Sequence, residues 1–135
     1  MSIERINPDE LARPSGFSHA VAASGGRLVF LAGQAAVGPD GQIVGTGVVE
    51  QFERALANLL AALRAAGGGP GDLASMTVYI VDMDDYRARA REIGEVWRRL
   101  AGRDYPAMAA AGVQRLWDPG LLVELQAIAV VPSPA

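Results

Sequence analysis

The chain has 135 residues and a formal net charge of −3 at pH 7, and 50% of its residues are hydrophobic. A chain of this size forms one domain, residues 1–135, with a sizeable core, and its mild acidity disfavours a general nucleic-acid binder. It has no cysteine and no lysine, and its only histidine is His19. Thiol nucleophiles, disulfides, Schiff-base lysines and cysteine metal sites are therefore excluded.

No apolar run approaches the length of about 20 residues that a membrane span needs, and the first residues lack the pattern of a secretory signal, so none is expected. We therefore expect a cytoplasmic protein that does not insert into membranes. Its chemistry is left to carboxylates, arginines, hydroxyls and backbone amides.

The chain begins with residues 1–16, where a possible short strand at 3–6 is followed by two prolines and a glycine. This composition predicts an irregular N-terminal arm. Residues 17–23 have the pattern of a strand, and Gly25 and Gly26 close it as in a hairpin.

The apolar run 27–36 predicts a central strand, and Gly33 interrupts it. A glycine inside a strand indicates a bulge or a place where another group approaches the backbone closely.

Two helices are predicted in the middle of the chain. Apolar residues recur with a helical period from 48 to 66, before a run of glycines that ends the helix. β-branched and aromatic residues at 75–81 predict a buried strand. Asp82 then opens a second helix that extends to about residue 100. Asp82 and two neighbouring aspartates either cap this helix or hold Mg²⁺; aspartate is a preferred N-cap, so we favour the cap.

The second helix carries two adjacent stripes. The buried stripe comprises Tyr86, Ala90, Ile93, Trp97 and Leu100. The basic stripe comprises Arg87, Arg91 and Arg98, with Glu95 beside them. A basic stripe of this kind binds phosphate or RNA in some proteins, but it is more often a solvated face or an oligomer rim, so nucleic acid is not the expected partner.

The stretch 105–131 organises the rest of the chain and has the pattern of two strands joined by a turn at 117–120. Alternate residues of the second strand are wholly apolar and are expected to pack on the helices; they are Leu121, Val123, Leu125, Ala127 and Ala129. On the opposite face of this strand, Glu124 and Gln126 lie between aliphatic residues. These two side chains either face water, as one side of an antiparallel sheet commonly does, or belong to a site.

The resulting order is β-β-β-α-β-α-β-β, which predicts an α+β fold with two helices on one face of a mixed sheet. The residues after 131 form a frayed tail, 132–135. The second sheet face then lacks a partner. With Leu122 and Ile128 around Glu124, it has the character of an oligomer surface that contains embedded polar groups.

The chain resembles the RidA/YjgF family, also described as endoribonuclease L-PSP-like, from residue 17 to residue 131. The motifs that carry this resemblance occur in order: FSHAV at 17–21, LVFLAGQ at 28–34, TVYIVDMDD at 77–85, Pro106-Ala107, Arg115-Leu116 and VELQAIAV at 123–130. Their order and spacing together make the resemblance specific.

The resemblance implies a YjgF-like, chorismate-mutase-like fold that assembles into a homotrimer with a closed central barrel and three small-molecule pockets between subunits. It also implies hydrolysis of reactive enamines and imines, giving a keto acid and ammonia without metal or cofactor. In the family an arginine after Pro-Ala holds the substrate carboxylate. A tyrosine, a strand glycine and a C-terminal glutamate complete the pocket.

Only part of that set is present in this chain. Glu124 matches the family's glutamate and is the catalytic candidate, and Gly33 matches the glycine. Met108 stands at the arginine position, Phe17 at the tyrosine position, and Ala110 at the position of a cysteine that is common in the deaminases. The resemblance therefore implies a pocket without the usual carboxylate clamp.

Two further polar residues are candidates for this pocket. His19 lies two residues from Phe17 and on the same predicted strand face, so it is included among the substrate-binding candidates. Arg115 is seven residues from Met108, and an odd offset places it on the opposite strand face, which disfavours it as a replacement for the arginine.

Three functions remain open. The first is an enzyme in which Glu124 positions water or moves a proton on a small enamine, imine or related unsaturated metabolite, other than a standard 2-imino acid. The second is a non-catalytic trimer that binds a small ligand as a sensor. The third, RNA cleavage or a chaperone-like role, has little support because nucleolytic chemistry needs a base and a phosphate clamp.

Overall fold

The structure is a computed structural model and describes residues 1–134. Within this range the elements follow in the order β1 (Ser2–Ile6), β2 (Ala20–Ser24), β3 (Arg27–Ala35), α1 (Val48–Ala65), a 3-10 turn (Pro70–Asp72), β4 (Leu73–Ile80), α2 (Met83–Ala88), α3 (Ala90–Ala101), β5 (Ala107–Gly112) and β6 (Val123–Val131).

Four strands form the main sheet in the order β3-β6-β4-β5, and β1 and β2 form a separate two-stranded sheet. β6 lies antiparallel to β3 and β4, whereas β5 lies parallel to β4. Helices α1 and α3 pack on one face of the main sheet. The predicted α+β fold, with helices on one face of a mixed sheet, is therefore confirmed.

The core lies between α1 and the main sheet, and β6 is at its centre. The alternating apolar residues of β6 are all buried: Val123, Leu125, Ala127 and Ala129. From α1 the buried residues facing them include Phe52, Leu56, Leu59 and Leu63. Burying one such leucine or phenylalanine stabilises the fold by about 1.5–3 kcal/mol. This contact decides which face of the sheet is inside and which face carries Glu124.

Two predicted helix ends are confirmed. After α1, Gly67 adopts a φ of 89° and its N–H donates to the carbonyl of Arg64 at 2.9 Å, as expected for a C-terminal glycine. Before α2, the Asp82 carboxylate accepts a hydrogen bond from Asp85 N at 3.0 Å. Asp82 is therefore a helix cap.

The predicted hairpin through Gly25 and Gly26 is wrong. Both glycines adopt positive φ, but β2 pairs with β1, whereas β3 pairs with β6. The reversal carries the chain from the small sheet to the main sheet. A glycine pair specifies a turn but does not specify the partner of the next strand.

The two strands within 105–131 do not form a hairpin either, because β5 and β6 lie on opposite sides of β4. The connection between them crosses the end of β4, where Val113 N donates to Ile80 O at 2.8 Å and Val81 N donates to Leu122 O at 3.1 Å. The predicted turn lies inside this connection rather than between paired strands.

The predicted second helix is divided into α2 and α3. Arg89 interrupts it with a φ of −108° and a ψ of 17°, and the Arg89 side chain spans the break in ion pairs with Asp85 at 3.3 Å and Glu92 at 3.6 Å. Neither glycine nor proline marks this position, so the apolar spacing did not reveal the break.

Both ends of the chain differ in detail from the expectation. The possible strand at 3–6 is confirmed as β1, so irregular conformation in the N-terminal arm is limited to residues 7–16. At the other end, 132–134 have no regular secondary structure, and the last residue of the predicted tail, Ala135, lies outside the described residues. Among residues 1–134, no helix combines the length and apolarity required to cross a membrane.

The sheet face opposite the helices is uncovered in the chain and is partly apolar. On β3, Leu28 is 65% exposed and Phe30 is 73% exposed, and Phe30 lies beside Ile128 of β6. Exposed apolar patches of this kind commonly mark contacts with another chain. We refer to Leu28, Phe30 and Ile128 as the open apolar patch.

Gln51 is a buried amide that joins α1 to the start of β6. Its Nε2 donates to the carbonyls of Gly120 at 3.0 Å and Gly45 at 3.3 Å, and its Oε1 accepts from Leu122 N at 2.8 Å. The amide fixes the residues just before β6 and, with them, the position of Glu124.

We expect Gln51→Leu to lower the free energy of unfolding by about 2–4 kcal/mol, because each buried polar group that loses its partner costs about 1–3 kcal/mol. Urea unfolding measures this change. The same substitution at the exposed Gln42 is the matched control and should change stability by less than about 0.5 kcal/mol. Equal stabilities for the two variants would show that the Gln51 amide does not hold this junction.

Candidate functional site

Glu124 and Gly33 meet at an irregularity in the pairing of β3 with β6. The register shifts between Leu31 and Gln34, so Gly33 lies in a bulge. A Cβ atom at Gly33 would lie 2.9 Å from Glu124 Cδ and would overlap the carboxylate. Both sequence interpretations of Gly33, a bulge and a close approach to the backbone, are therefore confirmed. The glycine leaves the space that the Glu124 carboxylate occupies.

Glu124 is half-buried and lies beside other polar side chains on the open sheet face. Tyr79 of β4 is its register partner, and the Tyr79 hydroxyl donates to Gln126 Oε1 at 3.0 Å. Of the two polar residues predicted on β6, Glu124 is thus partly shielded, and the exposed Gln126 is hydrogen-bonded to the neighbouring strand.

A second group of candidates lines one cavity on the helix face of β5. Phe17, Met108 and Ala110 surround a space of about 350 Å³, together with Ser15, Gly16, Val78, Tyr86 and Ala109. None of these lining residues carries a charge at neutral pH. We call this space the uncharged lobe.

The uncharged lobe adjoins a larger cavity of about 460 Å³ between β5, α2 and α3. The two spaces share Ser15, Gly16, Tyr86 and Met108. The larger one adds an aromatic wall, in which Trp97 stacks on Tyr105 with ring centroids 5.8 Å apart, and two cations, Arg91 and Arg98. We call it the cationic lobe.

Tyr86 stands where the two lobes meet. Its ring packs edge-on against Phe52 at 6.3 Å, and burial raises the pKa of Tyr86 to about 12, because a phenolate loses hydration there. Tyr86 therefore presents a protonated hydroxyl at neutral pH, which can donate a hydrogen bond to a ligand.

The Phe17 segment is held against the start of β5 by Ser18. The Ser18 hydroxyl donates to Tyr105 O at 2.7 Å, and Ser18 N donates to Pro106 O at 3.0 Å. As a result residues 17–19 bend, and the predicted strand begins only at Ala20. Phe17 and His19 therefore precede the strand and do not lie on a strand face, although their rings contact each other.

His19 does not line either lobe. Its Nε2 lies 2.6 Å from Ala12 O, and its backbone N–H donates to Asn7 Oδ1 at 2.8 Å. The imidazole also packs edge-on against Phe17 at 5.0 Å. His19 thus holds the N-terminal arm by these two hydrogen bonds, and its ring packs against Phe17.

Arg115 also lies apart from the lobes. Its guanidinium donates to the backbone carbonyls of Leu116 at 3.1 Å and Trp117 at 3.0 Å, within its own loop. The structure therefore gives no cation from the 113–122 connection to the position that Met108 occupies.

The two groups of candidates lie on opposite faces of the sheet. Met108 and Ala110 pair in register with Met76 and Val78, both buried in the core. Glu124 pairs with Tyr79, the next residue along β4, whose side chain points to the other face. Within one chain, Glu124 and Gly33 therefore lie on one face of the sheet, and Phe17, Met108 and Ala110 lie on the other.

The cationic lobe is not among the predicted sites, although both of its components are visible in the sequence. Tyr86 and Trp97 belong to the predicted buried stripe, and Arg91 and Arg98 belong to the adjacent stripe of the same predicted helix. Two such stripes side by side are the signal, because a cavity at their boundary has an apolar wall and a charged rim.

Comparison with known proteins agrees with the fold and covers nearly the whole chain. The family profile described as Endoribonuclease L-PSP matches residues 8–131. A RutC family protein from Pyrococcus abyssi is 34% identical over 96% of this chain and 98% of its own length. The 2-iminobutanoate/2-iminopropanoate deaminase of Mus musculus is 36% identical over 77% of this chain and 74% of its own length.

Solved structures give the same result. A Rid-family protein of unknown function from Yersinia pestis has a TM-score of 0.87 and 36% identity, covering 97% of this chain and all of that chain. A member of the YjgF/YER057c/UK114 family from Mycobacterium tuberculosis has a TM-score of 0.64 and 30% identity, covering 96% of this chain and 100% of that one. Together with the matched profile, these similarities establish that the chain belongs to the RidA/YjgF family.

Proposed function

We propose that this protein is a homotrimer whose pockets lie between subunits and that it hydrolyses a small enamine or imine without metal or cofactor. The observation that carries the proposal is the Glu124 carboxylate held over Gly33, on the sheet face that lacks a partner in the chain. Relatives from Capra hircus and Mus musculus, 35% and 36% identical, are 2-iminobutanoate/2-iminopropanoate deaminases, which supports this reaction class.

Assembly would bring together the two groups of candidate residues, which lie on opposite sheet faces within one chain. A rotationally symmetric ring can bring Glu124 of one copy to the uncharged lobe of the next copy. The open apolar patch supplies a driving force, because burying a side chain such as Phe30 or Leu28 stabilises a contact by about 1.5–3 kcal/mol.

In the proposed reaction, Glu124 takes a proton from water while the water oxygen bonds to the imine carbon. The protonated Glu124 carboxyl returns this proton to the imine nitrogen, which gives a carbinolamine. The carboxylate then takes the proton of the carbinolamine hydroxyl and passes it to the nitrogen, so that the C–N bond breaks and leaves a carbonyl and ammonia. An enamine enters the same path after its carbon accepts a proton. General acid–base catalysis of this kind accelerates a reaction about 10²- to 10⁴-fold, which is sufficient for an already labile substrate.

The uncharged lobe restricts the substrate. A 2-imino acid carries its carboxylate next to the reactive carbon, and Met108 offers that carboxylate no cation. An unpaired, partly buried carboxylate costs about 3–5 kcal/mol, or about a hundred- to several-thousand-fold in affinity. Substrates with a neutral or apolar group at this position suit Phe17, Met108 and Ala110 better.

A ligand-binding trimer without turnover would use the same pocket, and the Glu124 experiment below separates the two. RNA cleavage gains nothing from the structure. Arg91 is paired with Glu95 at 3.8 Å, and Arg91 and Arg98 border a cavity of small-molecule size.

Light scattering after size-exclusion chromatography should give about three times the 14.1 kDa chain mass. Phe30→Asp should lower this mass, because it places a charge in the proposed interface, whereas Ala61→Asp on the outer face of α1 should leave it unchanged. A stable monomer at micromolar concentration would contradict the assembly and the shared pocket.

The unmodified protein should hydrolyse 2-iminopropanoate poorly, and Met108→Arg should increase this activity at least about tenfold, since it supplies a charge-assisted partner for the carboxylate. An assay that generates the imine in situ and follows its decay measures both proteins. Met108→Leu is the control of similar size without charge. Efficient hydrolysis by the unmodified protein would show that another cation already holds the carboxylate.

Glu124→Gln should lower ammonia release from an enamine with an apolar side chain about 10²-fold or more, because the amide cannot accept the proton from water. The assembly and its melting temperature should stay nearly unchanged, as they should for Glu95→Gln on α3. Saturable binding without turnover in the unmodified protein would favour the sensor. Loss of the trimer in Glu124→Gln would make Glu124 an interface residue and remove the basis of the proposed catalysis.

A further inference from the structure

The cationic lobe contains a cation that no acidic side chain neutralises. Among the described residues, Arg98 takes part in none of the ion pairs, whereas its neighbour Arg91 pairs with Glu95 and has a side chain that is 92% exposed. Arg98 is therefore the guanidinium of this lobe that remains available to an anion.

Gly94 makes room for this guanidinium. A Cβ atom at Gly94 would lie 3.3 Å from the Arg98 Nη1 atom, which shows that the side chain folds back one turn along α3. A glycine inside a helix is unfavourable relative to alanine. This glycine lies beneath the Arg98 guanidinium, and both residues line the cavity.

The remaining walls of the lobe suit a flat or apolar group. Trp97 and Tyr105 form a stacked pair, and Tyr86 adds a hydroxyl that is protonated at neutral pH. The lobe measures about 460 Å³, within the range of about 300–1,000 Å³ that is usual for small-molecule sites. A three-carbon imino acid would leave most of this volume empty.

Resting on the function proposed above, we infer that the substrate carries a carboxylate remote from its reactive carbon, joined to it by an aromatic or apolar spacer. The spacer lies against Trp97 and Tyr105, Arg98 holds the carboxylate, and the reactive end reaches the uncharged lobe past Tyr86. The cation that binds the substrate carboxylate is thus on α3 and not at the position of Met108 on β5. The preferred substrate is therefore longer than a 2-imino acid.

Binding of hydrocinnamate, measured by isothermal titration calorimetry, tests this inference without turnover. The carboxylate should bind at least about tenfold more tightly than its neutral amide, because only the anion forms a charge-assisted hydrogen bond with the guanidinium. Arg98→Met should remove this preference, Arg98→Lys should restore part of it, and Arg64→Met on α1 should leave it intact.

Gly94→Leu provides a second variant, because its side chain enters the cationic lobe without removing the charge of Arg98; it should weaken binding of hydrocinnamate and of its amide alike. Equal affinity for the carboxylate and its amide, or an unchanged preference in Arg98→Met, would overturn the inference.

Glu124→Gln distinguishes this inference from the proposed function. This variant should bind hydrocinnamate as the unmodified protein does. If it does so and no imine is turned over by the unmodified protein, the proposed function fails and the remote-carboxylate site stands. If imines are hydrolysed without any carboxylate preference, the site fails and the proposed function stands.

Discussion

Val123, Leu125, Ala127 and Ala129 point from β6 onto α1, and this contact determines where Glu124 lies in the candidate site. Because side chains alternate along a strand, burial of this set forces Glu124 onto the opposite sheet face. Gln51 supports the same arrangement from α1 by binding the backbone just before β6. A shift of β6 by one residue would bury the carboxylate under the helices and expose the core.

Much of the fold could be predicted from the sequence because each helix or strand is specified by residues that are close together in the chain. The helical period of α1, the Asp82 cap and the alternation of β6 each lie within a few neighbouring residues. Strand partners could not be predicted in this way. The glycine pair at 25–26 and the turn before β6 both mark reversals, but pairing depends on distant hydrogen bonds such as Val113 to Ile80.

The candidate site, too, could be predicted only in part. The contact of Glu124 with Gly33 and the common cavity of Phe17, Met108 and Ala110 involve residues that the sequence analysis had singled out. Two features of the site could not be predicted from the sequence. The bend at Ser18 turns His19 toward the N-terminal arm, and the backward fold of Arg98 over Gly94 places a cation in the larger lobe. The bend depends on hydrogen bonds to residues distant in the sequence, and the adjacent stripes of α3 indicate a cavity but not the side-chain conformation of Arg98.

In the proposed assembly, Glu124 of one chain completes a pocket with Met108 and Ala110 of another. The absence of cysteine from the sequence allows a direct measurement. Proteins carrying Ala110→Cys and Glu124→Cys, refolded together and treated with a short bifunctional thiol reagent, should give a cross-linked species of twice the 14.1 kDa chain mass. Each variant treated alone should give little of it. A mixture that cross-links no better than the separate variants would contradict a pocket shared between subunits.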